Sequence, residues 1–440
     1  MSHVFHRSAL SVPPMAVAAD GHYIIDINGR RYLDASGGAA VSCIGHGDPR
    51  VVAAVAEQIA RLDYAHSGAF TSPSAEELAA HICAEAGQGM ARVYFVGSGS
   101  EAVEAAIKMA RQCQIERRQP SRHVVISRRL SYHGNTLGAL GRSGSETRRA
   151  PYAPMLQKRT QIAPCFPYHY AEPGETPEAY GLRAAEALEA EILRLGSENV
   201  AAFLAETVVG ATSGAVVPAT GYFRHIREIC DRYGVLLICD EVMCGAHRTG
   251  PFLACSDEGV SPDIVTLAKG LGGGYLPIGA VVCRADVHDS FAQGSGAFTH
   301  GHTYMAHPVA CAAALEVQRV IVDDRLAERV VRQGALLDAA LRDRLSQHTY
   351  VGDIRGRGLL YAVELVADRE TRVSFDPEMR LAARIGAQAK GRGLLVYPGS
   401  GTIDGLRGDH VLLAPAYSID AQRVGEIADI LTEAIDAALG

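Results

Sequence analysis

Apolar and polar positions recur along this chain with two periods, and the points where one period gives way to the other mark its elements. Near the start, YIIDINGRRYLDAS sets two apolar, β-prone runs on either side of an Asn-Gly turn, which predicts a hairpin within an N-terminal arm over 1–50. Helical spacing follows in PRVVAAVAEQIARL and SAEELAAHICAEA. From about residue 92 short apolar runs alternate with helical stretches: RVYFV, GSEAVEAAIKMARQ, HVVIS, and later VAAFLAE, YFRHIREICDRY and VLLICDE. Such βαβ alternation predicts a largely parallel sheet with helices on both faces. DIVTLAKG and IGAVVC continue the sheet before helices take over in HPVACAAALEVQRVI and RLAERVVRQGALLDAALRDRL. The tail mixes strands such as LLYAVELV with helices at 378–392 and 419–438. An α/β chain is therefore expected. Its arm and hairpin (1–50) form part of a small domain, 51–320 forms a large domain, and 321–440 completes the small α+β domain.

Composition narrows this picture without redirecting it. At 440 residues, 48% apolar and 21% charged, the chain has the make-up of an ordinary globular protein of two or three domains. Its 49 acidic and 42 basic side chains form no long block of either sign, so nothing marks a nucleic-acid surface. No apolar run approaches the roughly 20 residues that span a bilayer, and the first twenty residues lack a secretory pattern. A cytoplasmic enzyme, with no membrane or nucleic-acid partner, is the expectation. The ten cysteines, from Cys43 to Cys311, show no Cys-x-x-Cys pair and no metal-ligand spacing with histidine. They are expected as buried reduced thiols, and no metal site is predicted.

Four segments could carry chemistry. Gly97-Ser98-Gly99-Ser100-Glu101-Ala102 lies between a strand-like run and an amphipathic helix, where free N–H groups and a serine hydroxyl make a phosphate site. The same residues fit G-x-G-x-x-A, so a dinucleotide site is an alternative. It expects an acid after the next strand, yet Arg128 and Arg129 stand there, and arginine suits a 2′-phosphate. Ser131-Tyr132-His133-Gly134-Asn135-Thr136 follows that strand, and an aromatic ring there can lie flat on a heterocycle. In LLICDEVMCGAHRTG, Asp240 and Glu241 end an apolar strand, where a carboxylate needs a partner. A protonated pyridine nitrogen would serve. At an effective dielectric of about 20 such a pair about 4 Å apart gains about 4 kcal/mol, roughly three pKa units for the ring. Lys269 then ends the next strand, ahead of a glycine run. A lysine amine condenses with an aldehyde, and an apolar setting near cationic groups would lower its pKa enough to react.

Taken together, SGSEA, YHGNT, DEV followed by RTG, AKG followed by PIGA, and HGHTY at 300–304 resemble the class III, or omega, aminotransferases of the fold type I pyridoxal-phosphate enzymes. The resemblance runs from SCIGHG near residue 45 to APAY near residue 415. It implies that pyridoxal 5′-phosphate is the cofactor and that Gly99, Ser100 and Thr303 hold its phosphate, Thr303 reaching in from the partner subunit of a homodimer with shared sites. Tyr132 would stack on one face of the ring and Val242 press on the other. Asp240 would hold the ring nitrogen, Lys269 carry the cofactor as an imine, and Glu206 line the substrate side. Ser98, His133 and Gly134 fall among the cofactor-binding positions. Thr207 stands where the family usually has Pro, and Ala40 where it often has an aromatic. Both are expected near the substrate.

The reaction implied is transfer of an amino group from an amine or omega-amino acid to a keto acid such as pyruvate, in two half-reactions, with Lys269 as the proton carrier. Decarboxylation, aminomutation or epimerisation at the same cradle stay open, since these differ only in what surrounds the substrate. A catalytically idle cofactor binder is disfavoured, because it could lose Lys269 or Asp240. For the substrate carboxylate, GTIDGLRGDHVLLAPAY offers Arg407 in a glycine-rich loop, with Asp409 as a competing surface partner.

Overall fold

The computed structural model describes residues 2–87 and 89–440. Strands β1 (Ala16–Asp20), β2 (Tyr23–Asp26) and β3 (Arg31–Asp34) form antiparallel hairpins. The Asn28-Gly29 turn closes the second of them: Asp26 Oδ1 accepts from the N–H groups of Asn28 and Arg30, and Gly29 takes φ +77°.

The central sheet is built from β4 (Met90–Val96), β5 (Val124–Arg128), β6 (Gln161–Ile162), β7 (Val200–Glu206), β8 (Leu236–Asp240), β9 (Ile264–Leu267) and β10 (Gly279–Arg284). Its spatial order is β4-β10-β9-β8-β7-β5-β6. Neighbours from β9 through β6 are parallel, while β10 runs antiparallel to both β9 and β4. The connection from β9 to β10 explains the reversal, because residues 268–278 are too few for the crossover that a parallel return requires. Lys269 lies in this short link.

Alternation along the buried strands sorts two helical layers. Phe203, Ala205, Leu237, Cys239, Val265 and Leu267 pack with Leu188, Ile192, Ile226 and Ile229 from the helices Pro177–Leu195 and Tyr222–Tyr233. Ala202, Leu204, Leu236, Ile238 and Ile264 turn the other way, onto Val103, Ala106 and Ala110 of the helix Gly99–Glu116. Both faces are thus covered, as a parallel sheet requires.

The remaining sheet takes β11 (Val351–Arg357), β12 (Leu360–Leu365), β14 (Tyr397–Ser400) and β15 (Asp409–Leu413), while β13 (Leu394–Leu395) leaves it to pair in parallel with β3. The helix Pro308–Asp323 joins the two cores. Its Ala310, Cys311 and Ala314 face the central sheet, whereas Ala313, Val317, Val320 and Ile321 pack with Leu33, Ile44, Val51 and the C-terminal helices. The cysteines are free thiols, and all but Cys83 are buried. Among the described residues no helix is long and apolar enough to cross a membrane, and no cluster of His, Cys, Asp and Glu is placed to hold a metal ion.

Candidate active site

Strands β5, β7, β8 and β9 end together, and the loops beyond their carboxyl ends enclose a cavity of about 410 Å³. Ser98, Gly99, Ser100, Tyr132, His133, Gly134, Glu206, Asp240, Val242 and Lys269 all line it. Residues expected to act together from five separated segments are therefore brought to one place.

One wall is the start of the helix Gly99–Glu116. Ser98 Oγ accepts from Glu101 N–H at 3.3 Å and Glu101 Oε2 accepts from Gly97 N–H at 2.6 Å, a reciprocal cap. The N–H groups of Gly99 and Ser100 have no acceptor within the helix and remain available to an anion. Ser100 Oγ accepts from Asn135 N–H at 3.1 Å, which leaves its own hydroxyl proton to donate. Close approach explains both glycines: a Cβ on Gly99 would lie 2.7 Å from Val242 Cγ1. One on Gly134, whose φ is +125°, would lie 2.6 Å from Ser100 Oγ.

Asp240 is 3% exposed and fully committed in orientation. Its Oδ1 accepts from Val242 N–H and from the Thr266 hydroxyl, both at 3.1 Å, and its Oδ2 lies 2.7 Å from His133 Nδ1. A carboxylate only accepts, so Nδ1 carries the imidazole proton, and Oδ2 keeps a lone pair toward the cavity. Thr266 escaped sequence reasoning. Its signal was a lone hydroxyl in the apolar strand β9, which register places beside Asp240.

Lys269 has φ +48°, a left-handed conformation uncommon for a residue with a Cβ, and its amine has no hydrogen-bond partner among the described residues. Burial lowers its pKa, against the pull of Asp240 and Glu206. The expected cationic surroundings are thus corrected: of the charges acting on Lys269, Arg248 helps, while the larger influences are the carboxylates of Asp240 and Glu206. Desolvation does the lowering.

Glu206 accepts from Tyr132 N–H and Gly210 N–H, each at 2.9 Å, and burial raises its pKa. Glu241, beside Asp240, points elsewhere. It accepts from the Thr207 hydroxyl at 2.5 Å and from the N–H groups of Ala254 and Cys255, and burial raises its pKa too. Thr207 is therefore a support beneath the site, not a substrate neighbour. Ala40 likewise packs in an apolar cluster with Val208, Met243 and Cys244, while the adjacent Val41 takes the cavity wall.

Two expected residues stand apart. Thr303 is exposed and outside the cavity of its own chain. Arg407 is also outside it, and its guanidinium pairs at 2.7 Å with Asp404 rather than Asp409, whose carboxylate caps Ala382 N–H instead. The dinucleotide alternative loses one of its two arginines as well. Arg128 is buried, donates to the Glu206 carbonyl and lies 5.8 Å from the ring centroids of Tyr222 and Phe223, so it is unavailable to a 2′-phosphate.

An anion cradle, a buried carboxylate and an unpartnered amine on different walls of one cavity suit a flat aldehyde that carries a phosphate and a basic ring nitrogen. Comparison with known proteins agrees. The family described as Aminotransferase class-III matches residues 4–435. An uncharacterized aminotransferase of Schizosaccharomyces pombe is 44% identical over 99% of this chain and 95% of its own length. A putrescine–pyruvate aminotransferase of Pseudomonas aeruginosa is 36% identical over 95% of this chain and 89% of its own. Among solved structures, a PLP-bound amine transaminase from an uncultivated Pseudomonas species superposes with a TM-score of 0.91 at 34% identity, covering 100% of this chain and 98% of that one. The chain belongs to the class-III aminotransferases and is a pyridoxal-phosphate-dependent transaminase of mixed α/β fold.

Proposed function

We propose that this enzyme moves an amino group from an amine or omega-amino acid donor to a keto acid such as pyruvate. One observation carries the reading: the free Lys269 amine faces a cavity whose other walls include Val41, Ala211, Met243, Leu276, Pro277 and Ile278, an apolar lining suited to the carbon chain of an amine. The relative named for putrescine and pyruvate supports the same substrate pair. Bound pyridoxal phosphate supplies an electron sink. The chain supplies the rest. Gly99 and Ser100 N–H groups would hold the phosphate, Tyr132 and Val242 would flank the ring, and Asp240 would keep the ring nitrogen protonated. Lys269, its pKa lowered by burial, would take a proton from the donor carbon and deliver it to the cofactor carbon that had been the aldehyde.

We further propose a cytoplasmic homodimer, in which the exposed Thr303 of each chain completes the other's phosphate cradle. The functional test is a panel of amines and omega-amino acids with pyruvate, following alanine and carbon dioxide together. Alanine without gas supports transfer, and gas in step with turnover would assign the enzyme to decarboxylation instead.

A further inference from the structure

Arg407 pairs with Asp404 outside the cavity, whereas a second arginine touches a residue of the cavity lining. We infer that Arg148 is the specificity-determining cation that receives this carboxylate at the mouth of the cavity; the inference rests on the keto-acid reading above. Arg148 is exposed and not itself a lining residue, but its guanidinium lies 4.8 Å from the ring centroid of Tyr132, which lines the cavity. Among the described residues it has no hydrogen bond and no ion pair, and the acid nearest to it in sequence, Glu146, is taken by Arg159. The backbone that presents it is fixed. Neighbouring Arg149 is buried and donates to the carbonyls of Leu140, Gly141 and Ser143. Stacking on an aromatic face holds a guanidinium in place without satisfying its fork of donors, so the fork stays ready for a carboxylate.

The charge layout of the cavity favours the same end for the acid group. Buried Glu206 and Asp240 on the inner walls repel a second carboxylate. At the Tyr132 side burial pushes the phenol up, with Tyr397 and Asp240 acting the same way, and Arg148, the largest of the charged influences there, acts with Arg7 of the N-terminal segment in the opposite sense. An acid therefore meets attraction at the Arg148 guanidinium and repulsion at Asp240 and Glu206, which orients it with its carboxylate toward Arg148.

The test uses the enzyme loaded with pyridoxamine phosphate and follows the return of cofactor colour on mixing with pyruvate or with the uncharged acceptor butanal. Binding of unreactive propanoate is measured separately by calorimetry. Arg148→Leu should slow the pyruvate reaction and weaken propanoate binding by about tenfold or more, the scale of a lost charge-assisted hydrogen bond, and leave butanal within about threefold. Arg148→Lys should fall between, since it keeps the charge and loses the fork. Equal losses for pyruvate and butanal, no loss for either, or a pyruvate-selective loss in Arg407→Ala alone would overturn the assignment. A parent enzyme that converts butanal but not pyruvate would refute the keto-acid reading before any substitution is made, and propanoate binding would then decide Arg148 by itself.

Discussion

Replacing Asp240 by asparagine exchanges one carboxylate oxygen for an NH2 group at a point where three donors converge. Val242 N–H and the Thr266 hydroxyl occupy Oδ1, and His133 Nδ1–H occupies Oδ2. An amide has one acceptor oxygen. If that oxygen keeps Val242 and Thr266, the new NH2 meets a donating Nδ1, and His133 must move its proton to Nε2, a buried atom with no partner among the described residues. A buried donor left unsatisfied costs about 1–3 kcal/mol. The electrostatic loss is greater: the ion pair with the ring nitrogen, about 4 kcal/mol at an effective dielectric of about 20, corresponds to about a thousandfold in rate if it acts fully at the barrier. We therefore expect Asp240→Asn to fold, to lose about 1–3 kcal/mol in urea unfolding, and to lose roughly two to three orders of magnitude in kcat/KM. The assay pairs denaturation with initial rates on the same preparation. A variant within about threefold of the parent in kcat/KM would refute the reasoning, as would an activity loss accounted for wholly by unfolded protein.

Lys269→Ala should abolish turnover, and borohydride treatment followed by mass spectrometry should find the cofactor attached to the parent chain but not to the variant; attachment in the variant would move the covalent role elsewhere. Thr266→Val removes one of the two donors on Asp240 Oδ1 while nearly keeping its shape, and should lower kcat/KM by about tenfold with little change in fold; an unchanged rate would reduce Thr266 to a strand residue. His410, buried and bonded through Nδ1 to Thr402, has its pKa lowered from 6.5 to about 3, burial being the chief cause. The unfolded chain therefore binds more protons between these values, and stability should fall as pH drops through that window, by up to about 1.4 kcal/mol per unit from this group. His410→Gln should flatten that part of a chemical-denaturation pH profile, and an equally steep profile in the variant would clear His410 of the effect.

Much of this architecture is legible in the alternation of apolar residues, because strands covered on both faces and helices with one covered face leave different periods. The hairpin at Asn28-Gly29, the strands ending at Asp240 and before Lys269, and the glycine turn at Gly99 can all be placed that way. What periodicity does not encode is which residues meet across strands. Thr266 acts on Asp240 through the register of β8 with β9, and Thr207 reaches Glu241 across β7 and β8, relations that exist only once the sheet is assembled. The reversed β10 follows from the length of one loop, a signal weaker than any apolar run. Arg407 shows the limit for flexible side chains: its guanidinium pairs with a carboxylate three residues earlier in the same loop, a local contact that apolar periodicity does not encode.

The parallel pairing of β3 with β13 has a consequence for how the chain is made. Leu33 lies opposite Leu394, about 360 residues later in the sequence. At about 5–20 residues per second, a ribosome takes about 20–70 s to supply that partner after the hairpin has emerged. Throughout this interval the edge of β3 presents unpaired backbone groups, because its strand partner belongs to the last tenth or so of the chain. The N-terminal hairpin is thus the part of the nascent protein with the longest exposure to misplaced strand pairing and the part with most to gain from a chaperone that binds extended chain.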